Sequence, residues 1–233
     1  MRFRLLACET LRHELEAVCH ETPHEVCAEF LTHGLHDAGG AKIRETLATK
    51  IQLAQREPYD AVLLGYGLCN NGLVGLGASR IPLVVPRAHD CVTLLVGSRK
   101  RYQEYFYDHP GTFFQSVGWM EFGRDLPQQD PFQEWVEQFG EENAQYLRKT
   151  LNRTKNYTRM AFIDTMEPYG DTCEIRRSAG EIAEKNGWTM EILPGDLTLL
   201  RKLVQGVWDD DFLVVPPGKT LDGSYDDGIV KLC

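Results

Sequence analysis

The stretch Tyr59-Asp60-Ala61-Val62-Leu63-Leu64-Gly65-Tyr66-Gly67-Leu68-Cys69-Asn70-Asn71-Gly72 decides the fold class. Its first half holds Ala61, Val62, Leu63 and Leu64 in one unbroken apolar run. A strand with one wet face alternates polar and apolar residues. A continuous run suits a strand buried on both faces, as in a parallel sheet between two layers of helices. The second half reads as a tight strand-to-helix turn, whose glycines permit positive φ and close backbone approach to a ligand.

The same alternation of strand and helix extends outward. Arg2 to Ala7 has the length of a buried strand, and Leu11, Leu15 and Val18 then share one helical face. Val26 to Leu31 reads as a second strand. Ala41 to Gln55 reads as a helix stopped by Pro58, with Ile43, Leu47, Ile51 and Ala54 at helical spacing. Ile81 to Val85 is a fourth strand, closed by Pro86. Later come a strand over Met160 to Asp164, a helix over Cys173 to Asn186 and a strand over Trp188 to Leu193. A helix over Leu197 to Trp208 and a strand over Phe212 to Val215 complete the series. The expected fold is α/β: a mostly parallel, Rossmann-like sheet with helices on both faces. Residues 1–91 form a first half, 92–157 an aromatic-rich helical insert with few clean strands, and 158–233 a second half. Two pseudo-symmetric halves and a single sheet carrying an insert are both consistent with the pattern. The tail from Leu221 to Cys233 is expected to wrap the surface or close a site.

Composition narrows the class of function. The chain has 233 residues, 42% hydrophobic and 25% charged, with a formal charge of −9. That acidity disfavours nucleic acid and anionic membranes, whose binding draws on phosphate neutralisation. No apolar run approaches the roughly 20 residues that span a bilayer, and the start lacks the long apolar centre of a signal peptide. A cytoplasmic protein is expected. Its seven cysteines, at 8, 19, 27, 69, 91, 173 and 233, should then serve as thiols, metal ligands or catalysts.

The reactive residues fall at strand ends. Cys8 follows the first strand, His36 the second, Cys69 the third, and His89-Asp90-Cys91 the fourth. Cys173 follows the strand ending near Asp164. Ligands of open α/β sheets bind outside the carboxyl ends of the strands, so these residues can converge on one edge. Cys8, Cys69, Cys91 and Cys173 form a soft ligand set for zinc or an iron–sulfur cluster. His36, His89 and Asp90 are candidates for proton transfer or for orienting a ligand. Tyr66, Gly67, Asn70 and Asn71 are candidates for contact with a small substrate. The plainer reading makes Cys8 and Cys69 small buried hydrophobes and Asp90 a helix cap. No CxxC pair or compact zinc-ribbon spacing occurs.

Several segments together carry a family resemblance. Leu63 to Leu73, Pro86-Arg87-Ala88-His89-Asp90-Cys91 and Leu95-Val96-Gly97-Ser98 resemble domain-of-unknown-function family 1638. Ala7-Cys8-Glu9, Gly34-Leu35-His36 and Tyr169-Gly170-Asp171-Thr172-Cys173 fit the same family. The resemblance implies an anaerobic bacterial or archaeal setting, often beside corrinoid-dependent methyl transfer. A corrinoid protein or a methyltransferase would then be a partner, and a corrinoid could enter through it. Three readings stay open. One is a metal-dependent enzyme, a transferase or lyase acting on a small substrate. The second is a metal-free thiol enzyme with Cys91 or Cys69 as nucleophile and His89 as base. The third is a non-catalytic protein that binds a small ligand or a corrinoid. A homo-oligomer is compatible with each.

Overall fold

A computed structural model describes residues 1–123, 132–150 and 156–233. The strands are β1 (Arg2–Cys8), β2 (Glu25–Leu31), β3 (Ala61–Gly65), β4 (Leu83–Pro86), β5 (Thr112–Ser116), β6 (Arg159–Asp164), β7 (Thr189–Pro194), β8 (Phe212–Val215), β9 (Leu221–Gly223) and β10 (Val230–Leu232). Between β1 and β3 lie a 3-10 turn (Glu9–Leu11), α1 (Arg12–Glu21), α2 (Gly34–Asp37) and α3 (Gly40–Ala54). After β4 come α4 (Cys91–Val96) and α5 (Arg99–Asp108), and after β5 come α6 (Val117–Phe122), α7 (Phe132–Phe139) and α8 (Glu141–Thr150). Then α9 (Cys173–Lys185) joins β6 to β7, and α10 (Thr198–Gln205) leads from β7 to β8. Among the described residues no helix is long and apolar enough to cross a membrane.

The first sheet has the order β2-β1-β3-β4-β8. Its first four strands are parallel, and β8 adds an antiparallel edge against β4. All five residues of β3 are buried, as its unbroken apolar run requires. Phe3, Leu5 and Ala7 of β1 face Leu15 and Val18 of α1 and Leu200 and Leu203 of α10. On the opposite face Leu6 packs with Ile43, Leu47 and Ile51 of α3. Each of the larger side chains contributes about 1.5–3 kcal/mol on burial, so two helix layers clamp the sheet. The chain runs from β1 out to β2, then crosses back over β1 to β3. That reversal opens a crevice at the carboxyl ends of β1 and β3, the usual ligand position in this topology.

The expected α/β architecture is therefore present, but in two sheets, the first mostly and the second wholly parallel. β5, β6 and β7 form a second, three-stranded sheet. One face of it packs Phe162 and Met160 against Ala179 and Ile182 of α9. The other contributes Phe114, Ile163 and Leu193 to the core under α10. The stretch 92–157 is mostly helical where described, yet it supplies β5. The stretch 158–233 returns β8 to the first sheet. The tail makes the β9–β10 hairpin. Arg87 anchors it by donating to the carbonyls of Gly228 (2.8 Å) and Val230, beside a cleft of about 670 Å3.

Candidate functional site

Two loops at the carboxyl edge run side by side beyond the strands that carry them. The N–H of Leu68 donates to the Ala88 carbonyl at 2.8 Å, and that of Cys69 to the His89 carbonyl at 3.0 Å. Gly67 makes this approach possible. A Cβ there would lie 2.6 Å from the Asp90 backbone, a distance no side chain tolerates. The chain then turns left-handed. Cys69, Asn70 and Asn71 have φ of 39°, 53° and 59°. The Gly72 N–H closes the turn on the carbonyls of Leu68 and Cys69, both at 2.9 Å. Asparagine tolerates this region; cysteine does so only at a cost of roughly 1–2 kcal/mol. The strained residue of the turn is thus a thiol.

Three thiols share this edge. Cys8 ends β1, Cys69 sits in the turn after β3, and Cys91 opens α4 after β4. Burial holds the Cys8 thiol above its ordinary range. Burial, Asp90 and the neighbouring Cys8 push Cys69 up to about 12. Burial, Asp90, Cys69 and Cys8 raise Cys91 well above the ordinary thiol range. Ionising any of these thiols is opposed first by burial, and for Cys69 and Cys91 next by the Asp90 carboxylate. Each sulfur also receives a hydrogen bond. Thr10 Oγ1 donates to Cys8 Sγ at 3.2 Å. The Gly67 N–H donates to Cys69, and Trp119 Nε1 donates to Cys91 Sγ at 3.2 Å. Such bonds stabilise a sulfur that carries charge.

Tyr66 stands among them. It is 4% exposed, and its hydroxyl has no hydrogen-bond partner among the described residues. Burial, with Cys8, Cys69 and Glu9 nearby, raises its pKa and keeps the phenol protonated. A wall of rings closes the side next to Cys91. His33 stacks on His36 with centroids 5.4 Å apart and meets Trp119 edge-on at 4.8 Å. Glu9 Oε1 accepts the His33 backbone N–H at 2.6 Å. Trp119 arrives because α6 presses on the 3-10 turn, where a Cβ on Gly118 would lie 2.0 Å from the Thr10 carbonyl.

Of the residues singled out from the sequence, the structure gathers Cys8, Cys69, Cys91, Tyr66 and Gly67 at this edge. Asp90 borders it. Its Oδ1 caps α4 through the Thr93 N–H at 3.2 Å, and its Oδ2 accepts from the Tyr102 hydroxyl at 3.1 Å. It therefore plays the helix-capping part and also adds negative charge beside two thiols. His36 reaches the site through its ring contacts with His33 and Trp119. His89 is exposed and serves through its carbonyl. Asn70 and Asn71 are exposed on the outside of the turn, where they provide its backbone shape. Cys173 is exposed and keeps different neighbours, Asp171, Asp164 and Arg176. The sequence assigns no site role to Thr10, Glu9 or His33, and Trp119 reads there as one of an aromatic run, with Tyr102, Tyr105, Phe106, Tyr107, Phe113 and Phe114, that walls a pocket or forms the core of the insert or an oligomer contact. Adjacency to Cys8 signals Thr10 and Glu9. No spacing signals Trp119, which arrives from the second sheet.

Chemically, the edge offers three thiols, a donor for each sulfur and a surplus of negative groups. Among the described residues no three His, Cys, Asp or Glu side chains already stand in a metal-ligand arrangement. No curated protein and no solved structure matches the chain. The family described as a protein of unknown function (DUF1638) matches residues 30–204, a span that takes in Cys69, Cys91 and Trp119 and begins after Cys8. That match covers three quarters of the sequence, and the chain belongs to this family.

Proposed function

We propose that Cys8, Cys69 and Cys91 hold a soft metal centre, zinc or an iron–sulfur cluster, and that this centre acts on a small substrate. One observation carries the reading. Three thiols, Cys91 buried and Cys8 and Cys69 half-buried, each with its own hydrogen-bond donor, end or follow neighbouring parallel strands at one sheet edge beside Glu9 and Asp90. A bound cation would reverse this balance, since it favours the thiolates that burial and Asp90 disfavour. Held by Cys8, Cys69 and Cys91, such a centre would supply Lewis-acid activation to the substrate. The chain's own residues do the rest. Thr10, Gly67 and Trp119 steady the sulfurs, the His33–His36–Trp119 wall keeps water from one side, and Tyr66 offers a proton donor.

The metal-free thiol enzyme fits the geometry less well. A nucleophilic cysteine needs a cationic or basic neighbour to become thiolate. Here Asp90 and the other sulfurs push Cys69 and Cys91 the opposite way, and His89 points into solvent.

Anaerobic purification followed by metal analysis and a visible spectrum tests the proposal. The expected result is stoichiometric zinc or iron in the wild type, lost in a Cys69→Ser/Cys91→Ser double variant and kept in Cys173→Ser. A wild type without stoichiometric metal, or a double variant that retains it, overturns the reading.

A further inference from the structure

The hydrogen-bond donors around the three sulfurs leave a remainder. Cys8 takes the Thr10 hydroxyl, Cys69 the Gly67 N–H and Cys91 the Trp119 indole. Tyr66 packs in one cluster with Cys8 and Cys69 and brings a further donor there, and its hydroxyl finds no acceptor among the described residues. Leaving a buried hydroxyl unpaired costs about 1–3 kcal/mol, and Tyr66 is 4% exposed. Phenylalanine would fill the same volume without that penalty. The hydroxyl therefore fits an acceptor that the protein itself does not supply.

We propose that the Tyr66 hydroxyl donates its hydrogen bond to the non-protein ligand of the thiol-held metal, and that this favours a small anion bound through its charged atom. The proposal rests on the metal reading above. Three sulfurs leave one position of a tetrahedral centre for an outside ligand. A hydrogen bond to a charged acceptor is about twice as strong as one to a neutral acceptor, so a lone hydroxyl discriminates in favour of an anion. The remaining groups of the edge, Glu9 and Asp90, repel an anion unless the metal is present. Metal and Tyr66 together make the anion site, and neither does so alone. Tyr66 is thus a positioning residue for the incoming group.

The test uses cobalt(II) as the probe metal and azide as the probe anion, with the full chain kept anaerobic. Wild type and Tyr66→Phe should each take up cobalt with the same thiolate-to-cobalt absorption band. The variant removes a hydroxyl that bonds to nothing in the protein, so its fold is not at risk. Azide should shift the cobalt bands of both, with a Kd about ten- to a hundredfold weaker in Tyr66→Phe. Replacing Tyr66 alone with 3-fluorotyrosine, a stronger donor, should tighten azide binding about two- to threefold. Equal azide affinity in wild type and Tyr66→Phe overturns the proposal and leaves the metal reading standing. So does loss of the cobalt band in Tyr66→Phe, which would place Tyr66 in the metal cage. Unchanged affinity in the fluorinated protein counts against it equally. A wild type that shows no thiolate-to-cobalt band overturns the metal reading instead.

Discussion

The indole nitrogen of Trp119 lies 3.2 Å from the sulfur of Cys91, and the two residues reach that contact from different sheets. Cys91 follows β4 of the first sheet, while Trp119 sits on the short helix after β5 of the second. The same indole packs edge-on against His33 at 4.8 Å. The second sheet thus does more than add core. It carries a hydrogen-bond donor to a thiol that the first sheet positions. Trp119→Phe keeps the ring contact and deletes the N–H. Outer-shell partners of this kind are worth about 10- to 100-fold in metal affinity. Competition with a chelator should show a loss near the lower end of that range, with the thermal midpoint nearly unchanged.

The glycines at the edge give a sharper structural prediction. Gly67→Ala would place a methyl group 2.6 Å from the Asp90 backbone. The β3 and β4 loops would have to part, breaking the paired hydrogen bonds of Leu68 and Cys69. Overpacking of this kind costs about 1–3 kcal/mol. Denaturant unfolding should show that loss, and metal uptake should fall with it because Cys69 and Cys91 separate. Gly170→Ala is the control. A Cβ there meets nothing within 4 Å, so stability and metal uptake should stay at wild-type levels.

Much of this is legible in the residues, and the boundary has physical causes. β3 shows itself because five consecutive buried residues leave no polar alternation, and the parallel fold follows from it. Cys8, Cys69 and Cys91 are legible as an edge set because each directly follows a strand that reads clearly. β5 is obscure: Thr112-Phe113-Phe114-Gln115-Ser116 lies just past a Pro-Gly pair in an aromatic stretch. With β5 unassigned, the path that brings Trp119 to Cys91 is hidden too. β9 and β10 have three residues each, too few for any period to appear. Cys173 looks like a fourth ligand because it follows β6. That strand belongs to the second sheet, whose carboxyl edge assembles its own polar group. Thr172 Oγ1 donates to Asp164 at 2.8 Å and Arg176 also bonds that carboxylate.

Alkylation rates separate the metal reading from a thiol-nucleophile reading. The thiolate is the reactive species. In metal-free protein near pH 7, Cys91 is buried, Cys69 is half-buried, and both are held in the thiol form. Cys19, raised to about 11, is also poorly reactive. Cys173 and Cys233 are exposed. Peptide mapping after brief iodoacetamide treatment should find Cys233 and Cys173 modified first and Cys69 and Cys91 last. Fast and selective labelling of Cys91 or Cys69 would instead mark an activated nucleophile.

A carboxyl group outside the thiol edge adds a pH dependence to the stability of the fold. Glu14 on α1 is fully buried, and its Oε1 accepts the Thr165 hydroxyl at 2.6 Å. Burial raises its pKa above the ordinary value of 4.5, outweighing the lowering by Thr165. The neutral acid is therefore the form that the fold favours. Its stability is intact below the unfolded pKa of 4.5 and is lost as the pH rises through the higher folded value. Glu14→Gln keeps an acceptor for Thr165 and cannot ionise. The variant should match the wild type near pH 4 and exceed it in thermal midpoint near pH 8, by about 2–4 °C for each kcal/mol at this size. Equal midpoints for the two proteins across that range would show that Glu14 costs the fold nothing when it ionises.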